Sequence, residues 1–254
     1  MLKNWNPAEQ PSKEEIKKRK KKSQDKLYEL QMKIKDHKLP VLVLFEGWGA
    51  SGKGSTIGKV IKNIDPRFFK VATMSAPTEE ELRKPFLYRY MKQIPESGKF
   101  TFLDSGWMDE TVKDVLMNDL ADEAYDKRID SIKRFERQLT DNGYLVVKFF
   151  MHIEKEEQTA RMEHLLSDKD TKWRVSKSDK WQNEHYKKCE KVFSVNNEKD
   201  EILKTLTEVM AVKKEMVFDR IKAEEKDGKL VLLKEKAPTV TIDLRKIILE
   251  NLPE

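Results

Sequence analysis

The chain has a single cysteine, Cys189, in 254 residues. That excludes an intrachain disulfide and any metal cage built from cysteines, and leaves a buried structural thiol as its expected role. No apolar run approaches the length that spans a bilayer, and the opening residues Met1-Leu2-Lys3-Asn4-Trp5 lack the apolar stretch of a signal peptide. A cytoplasmic chain with no membrane partner is expected. Histidine is sparse: His37, His164 and His185 lack the spacing of a paired metal site. His152 falls at a strand end among apolar residues, the usual place of a satisfied core histidine. There is no internal repeat and no low-complexity linker, so only a soft boundary is expected, near Lys214.

What is abundant is charge. Apolar residues and charged residues each make up 38% of the chain, so the apolar positions must be grouped into buried strands and helix stripes. The net charge of +6 is modest, and the mixing of signs along predicted helices argues against one uniform basic face. The densest cluster, Lys17-Lys18-Arg19-Lys20-Lys21-Lys22, suits either a polyanion or a solvated helix face. Ser12 with Glu15 forms a capping box, and Leu27, Leu30 and Ile34 follow at helical spacing, which favours the helix face. No recognition motif accompanies the basic run, so nucleic acid is not an expected partner.

A chain of this length accommodates one large α/β domain with an appendage. After Pro40, the apolar run Val41-Leu42-Val43-Leu44-Phe45 ends in glycines, as a doubly covered parallel strand does. Further strands are expected at Phe69 to Met74, Phe100 to Asp104 and Tyr144 to His152. Helical stretches are expected at Thr56 to Ile64, Thr78 to Ile94 and Asp126 to Leu139. This alternation predicts a parallel sheet covered by helices on both faces. Glu154 to Met210 reads as a charged helical lid, interrupted near Ser167 to Asp170 and near Asn196-Asn197. Lys226-Asp227-Gly228-Lys229 is a hairpin signal, followed by extended runs at Leu230 to Leu233 and Val240 to Leu244. The expected organisation is a basic helix over 1–39, a P-loop-type domain with its lid over 40–213, and an extended appendage or connector over 214–254.

The segment Gly47-Trp48-Gly49-Ala50-Ser51-Gly52-Lys53-Gly54-Ser55-Thr56 follows the strongest strand and opens a helix. Glycines turn successive N–H groups inward and the helix N-terminus adds partial positive charge, so phosphate oxygens meet donors on several sides. Gly47, Gly49, Gly52, Gly54, Ser55 and Thr56 are the candidate phosphate-binding positions, and Lys53 supplies the full charge. A standard Walker loop has Ser or Thr directly after the lysine; here Gly54 stands there, with hydroxyls at Ser55 and Thr56. Asp104 ends the strand Phe100 to Leu103 at the carboxyl edge, where a Walker-B-type carboxylate holds magnesium, although it also suits a cap for the next helix. Lys53 and Asp104 are the candidate catalytic pair, with Asp104 and Ser55 as the candidate metal ligands.

These residues resemble the second family of polyphosphate kinases, which move phosphate between inorganic polyphosphate and nucleotides. The resemblance runs from about Leu27 to Tyr186. It includes Gly47-Trp48 through Gly54, Asp65-Pro66-Arg67, Ala76-Pro77-Thr78-Glu79-Glu80, Phe86-Leu87-Tyr88-Arg89-Tyr90, Asp104 with Trp107, Phe135-Glu136-Arg137-Gln138-Leu139, Lys148 to Ile153, Glu157-Gln158 with Arg161, and Trp173-Arg174. It implies a P-loop kinase-like fold, magnesium as cofactor, polyphosphate and adenine nucleotides as partners, and a homo-oligomer or a pairing with a second copy of the domain. Arg67 and Arg89, and at lower weight Lys59 and Lys62, are implied to line a basic phosphate channel.

Four positions depart from the family pattern. Gly49 stands where the loop usually carries an aspartate, Ser105 and Glu110 where arginines are usual, and Leu165 where the lid usually offers an arginine. Each departure removes a group that would bind metal or neutralise developing charge, the main source of catalysis in phosphoryl transfer. The sequence therefore leaves open an active polyphosphate-dependent phosphotransferase, a catalytically impaired polyphosphate- or nucleotide-binding domain that supports an active partner, and an ordinary ATP-dependent kinase. Trp107, Trp173 and Trp181 are expected in packing.

Overall fold

In the computed structural model, residues 12–199, 221–226 and 229–234 are described. The elements in order are helix α1 (Lys13–Asp36), strand β1 (Val41–Gly47), α2 (Lys53–Ile61), β2 (Phe69–Thr73), α3 (Glu79–Leu82), α4 (Tyr88–Met91), β3 (Phe100–Asp104), α5 (Trp107–Met117) and α6 (Asp122–Asp141). They continue with β4 (Leu145–Met151), α7 (Lys155–Ser167), α8 (Lys177–Glu184), α9 (Tyr186–Lys199), β5 (Ile221–Lys226) and β6 (Lys229–Lys234). Strands β1 to β4 form one parallel sheet in the order β2-β3-β1-β4.

The alternation of side chains along β1 explains the layers. Val41, Val43 and Phe45 point to one face and join Leu27 and Ile34 of α1 and Ile57 and Val60 of α2. Leu42 and Leu44 point to the other, against Tyr90, Trp107 and the α6 stripe Ile129, Ile132, Phe135 and Leu139. With helices on both faces, all seven residues of β1 are buried, which is why it reads as an uninterrupted apolar run. A third cluster at the carboxyl edge joins Trp48, Val112 and Leu116 to Tyr186, Cys189 and Phe193 of α9. Cys189 lies here, 1% exposed, and burial pushes its thiol up to about 11.

Several expected boundaries shift. The helical stretch from Thr78 to Ile94 is two four-residue helices, because Pro85 falls between them. Helix α9 runs through Asn196-Asn197 without a break. Helix α5 had no periodic signal. On either side of the expected hairpin signal, β5 and β6 pair antiparallel, with Lys226 opposite Lys229. The Glu15 side chain of the expected capping box, residues 200–213 of the expected lid, the boundary near Lys214 and the run Val240 to Leu244 lie outside the described residues.

Candidate phosphate-binding site

At the carboxyl end of β1 the chain turns sharply. Gly47 has φ of +110°, and a Cβ there would meet the Met151 carbonyl oxygen at 2.5 Å, so only glycine fits between β1 and β4. Trp48 N–H then donates to that same carbonyl at 3.1 Å. The loop closes at Gly52, φ +95°, which precedes α2 without any side-chain cap. The first N–H groups of α2 thus remain available, as an anion site requires. Lys53 curls back so that its ammonium donates to the carbonyls of Gly47 (2.9 Å) and Trp48 (3.0 Å). Gly54 and Ser55 are exposed at the helix start, while the Thr56 hydroxyl donates to the Gly52 carbonyl at 2.9 Å and is committed to the helix.

Asp104 faces this helix start. A Cβ on Gly54 would lie 3.2 Å from its Oδ2, so a side chain after the lysine would crowd the carboxylate by a few tenths of an ångström. Asp104 does not cap α5: the cap position is Gly106, and it makes no side-chain bond. Burial raises the pKa of Asp104, and Lys53 opposes the shift. Ser105 follows with φ of +70°, a left-handed conformation uncommon outside glycine and asparagine.

Two buried acids absent from the sequence expectations complete the floor. Asp109, in the first turn of α5, accepts the Gly47 N–H at 2.7 Å and lies 3.8 Å from the Lys53 ammonium. Its pKa is raised by burial and lowered in part by Lys53. Glu46 accepts the Met108 N–H at 2.9 Å and is 3% exposed. Its one sequence signal is a charge at the end of an otherwise apolar buried strand.

The lid helices are bonded to the loop. Gly49 N–H donates to Gln182 Oε1 at 2.7 Å, and Gln158 Nε2 bridges the Gly49 carbonyl (3.1 Å) and Gln182 Oε1 (3.0 Å). Arg161 donates to the Ser51 carbonyl at 3.0 Å. Helix α8 also packs closely on Gly49: a Cβ there would meet Asp179 Oδ1 at 2.1 Å. Behind the loop, Trp48 stacks on Tyr186 at 4.0 Å and donates to His152 Nδ1 at 3.1 Å, which gives His152 a structural role.

The structure thus gathers Gly47, Gly49, Gly52, Lys53, Gly54, Ser55, Thr56 and Asp104 around one site. It leaves Arg67 away from it, and pairs Arg89 with acids at its margin. Arg67 precedes β2, at the amino edge of the sheet, and is exposed in a bidentate pair with Asp65. A five-residue strand at about 3.3 Å per residue separates that edge from the loop's. Lys59 and Lys62, at the far end of α2, lie toward the same edge. Arg89 is 6% exposed; it donates to the Ser75 carbonyl and to Glu110 Oε1 at 3.4 Å, and lies 3.9 Å from Glu81. Glu110, in place of an arginine, therefore neutralises Arg89. Among the tryptophans, Trp107 is fully buried, but Trp173 is 75% exposed, contrary to the packing role expected for it.

A parallel sheet, a glycine loop entering an uncapped helix and a strand-end carboxylate facing that helix define a P-loop-type α/β phosphate-binding domain. The family model described as polyphosphate kinase 2 (PPK2) matches residues 10–219, and the chain belongs to that family. It is 32% identical over 155 residues to an AMP/ADP-polyphosphate phosphotransferase of Meiothermus ruber, covering 61% of this chain and 57% of the relative. It is 32% identical over 151 residues to a polyphosphate:AMP phosphotransferase of Pseudomonas syringae, covering 59% of this chain and 30% of the relative. The matched region therefore spans from under a third to a little over half of these relatives. The fold matches the crystal structure of polyphosphate kinase 2 from Arthrobacter aurescens (TM-score 0.71, 24% identity, 79% of this chain and 76% of that one). It also matches a putative polyphosphate kinase 2 from Pseudomonas aeruginosa (TM-score 0.73, 25% identity, 79% and 44%). Among the described residues no helix is long and apolar enough to cross a membrane.

Proposed function

We propose that the chain is a polyphosphate-dependent nucleotide phosphotransferase, moving a phosphoryl group between inorganic polyphosphate and AMP or ADP. The observation that carries this is the facing pair of Lys53 and Asp104 at an uncapped helix N-terminus, within a chain of this family. Lys53 would exchange its bonds to the Gly47 and Trp48 carbonyls for phosphate oxygens, and the N–H groups at the start of α2 would receive the same anion. The buried Asp109 would hold the loop by its bond to Gly47 and keep the ammonium oriented.

The donors at the site suit magnesium. Asp104 and the exposed Ser55 offer hard oxygens, and among the described residues no three acidic, histidine or cysteine side chains gather to hold a metal unaided. Such an ion shares its shell with phosphate and water, as magnesium does. When bound, it supplies charge neutralisation on the transferring phosphoryl group.

A second function has a specific observation in its favour. Arg89 is taken up by Glu110 and Glu81, and an impaired phosphate-binding domain that supports an active partner or a second copy of the domain would have no use for a free arginine there. Nucleotide phosphorylation by the purified chain, with long-chain polyphosphate, magnesium and AMP or ADP, separates the two. Turnover that disappears in Lys53→Ala supports the enzyme. A folded chain that turns over no faster than that variant leaves the binding role.

A further inference from the structure

Helix α5 carries a cation that neither the loop motif nor the family resemblance singles out. Asp109, Lys113 and Met117 follow one another at i, i+4 spacing and so share one face of α5. Both ends of that face are fixed by contacts. Asp109 accepts the Gly47 N–H of the phosphate loop, and the Met117 sulfur accepts the Ser178 hydroxyl at 3.8 Å, which places that end against α8. Lys113 stands between them, at the cleft bounded by the loop on one side and α8 on the other. Its side chain is exposed, and none of the ion pairs among the described residues involves it. Its field also reaches the floor of the site, where it holds down the pKa of both Asp104 and Asp109.

Three other cations near the cleft are committed. Lys53 is bonded to loop carbonyls, Arg161 to the Ser51 carbonyl and Glu157, and Arg89 to Glu110 and Ser75. Glu110 is turned away from the loop, since it accepts from Tyr90 and Arg89 of α4. The segment with Ser105 and Glu110 in place of arginines thus still presents one positive charge to the loop, a turn further along the same helix.

We propose that Lys113 is a phosphate-contacting residue of this site, meeting from the α5 side the same anionic phosphate chain that Lys53 and the α2 N-terminus hold. The proposal rests on the phosphate-loop function above. Lys113 is a long, strongly hydrated point charge on an exposed stem, suited to a ligand whose phosphates vary in position more than to one fixed bidentate geometry.

The test is calorimetric titration of the full chain with tripolyphosphate in the absence of magnesium, comparing wild type, Lys113→Met, Lys113→Arg and Lys53→Ala. Lys127→Met serves as the charge control, because Lys127 lies on α6, exposed and paired with Glu123. Removing one opposite charge at a partly exposed contact predicts affinity about fivefold to tenfold weaker for Lys113→Met at low salt. The arginine variant should stay within about twofold, and the difference should shrink between about 0.05 M and about 0.5 M salt. Equal affinities for Lys113→Met and Lys127→Met, with Lys53→Ala still impaired, would overturn the role of Lys113 alone. A wild type that binds no more tightly than Lys53→Ala would overturn the phosphate-loop function, and this proposal with it.

Discussion

Replacing Gly49 by aspartate gives the loop its usual family residue, and the structure predicts that this single change destabilises the protein. The backbone is not the obstacle, since Gly49 does not adopt the positive φ that burdens Gly47 and Gly52. The obstacle is Asp179. A Cβ at position 49 would lie 2.1 Å from its Oδ1 and 2.7 Å from its Cγ, so Asp179 must move by more than 1 Å. Asp179 is held by the α8 capping box, in which its carboxylate accepts the Ser176 N–H at 2.8 Å and the Ser176 hydroxyl at 2.7 Å. Displacing it forfeits about 1 kcal/mol of capping, and disturbing the Gly49–Gln182 bond forfeits about 1 kcal/mol more. Two carboxylates about 4 Å apart add about 1 kcal/mol in water and about 4 kcal/mol at a protein surface. Because Asp179 is half-buried, the repulsion falls between these limits and a total of about 3–6 kcal/mol is expected. The assay is a double-mutant cycle by urea unfolding: Gly49→Asp and Gly49→Ala, each alone and with Asp179→Ala. The cycle cancels the cap lost in Asp179→Ala itself. A coupling energy of about 2 kcal/mol is expected for Gly49→Asp, and a smaller one for Gly49→Ala, which keeps the steric part only. Coupling below about 0.5 kcal/mol in both would refute the claim that Asp179 dictates glycine at this position.

Two further outcomes follow from the buried charges. Glu110→Ala removes the nearest carboxylate from an almost buried Arg89 and should cost about 2–3 kcal/mol, read as a fall of about 5–10 °C in melting temperature; an unchanged Tm would mean that Glu81 and Ser75 suffice. Burial raises the pKa of both Asp104 and Asp109, so the folded chain keeps protons there at a pH where the unfolded chain has released them. Their contribution to stability is therefore greatest at acid pH and is lost as pH rises from about 4 through the raised folded values, by about 1.4 kcal/mol for each tenfold weakening of the acid on folding. Asp104→Asn with Asp109→Asn should gain stability relative to wild type as ligand-free protein is taken from pH 4.5 to 7.5; a constant or shrinking difference refutes it.

The parts of the site legible in the sequence are those whose partners lie nearby in the chain. A buried strand, a glycine turn, a lysine at the first position of a helix and an aspartate closing the next apolar run each carry a local signature. Asp109, Asp179 and Gln182 carry none, because their partners at Gly47 and Gly49 lie 62 residues or more away. Helix α5 was hidden for a related reason. Its buried face contains Asp109 and Thr111 beside Trp107, Met108 and Val112, so polar groups interrupt the apolar stripe that periodicity detects. Arg67 and Arg89 show the reverse failure: local motifs drew attention to them, but sheet direction put Arg67 at the wrong edge and tertiary pairing consumed Arg89.

The departures at positions 49 and 110, each a lost group when taken alone, are absorbed by specific neighbours. Gly49 makes room for the Asp179 carboxylate, and Glu110 ties Arg89 and Tyr90 to α5. Random decay of a site removes groups without supplying complements; at these two positions the complements are in place, and position 113 returns a cation to the same helix. A reversion at either position therefore meets a partner suited to the present residue, an acid at 179 or a guanidinium at 89, and each like-charge encounter opposes it. Moving this site toward the usual family pattern requires changing residues in pairs, 49 with 179 and 110 with 89.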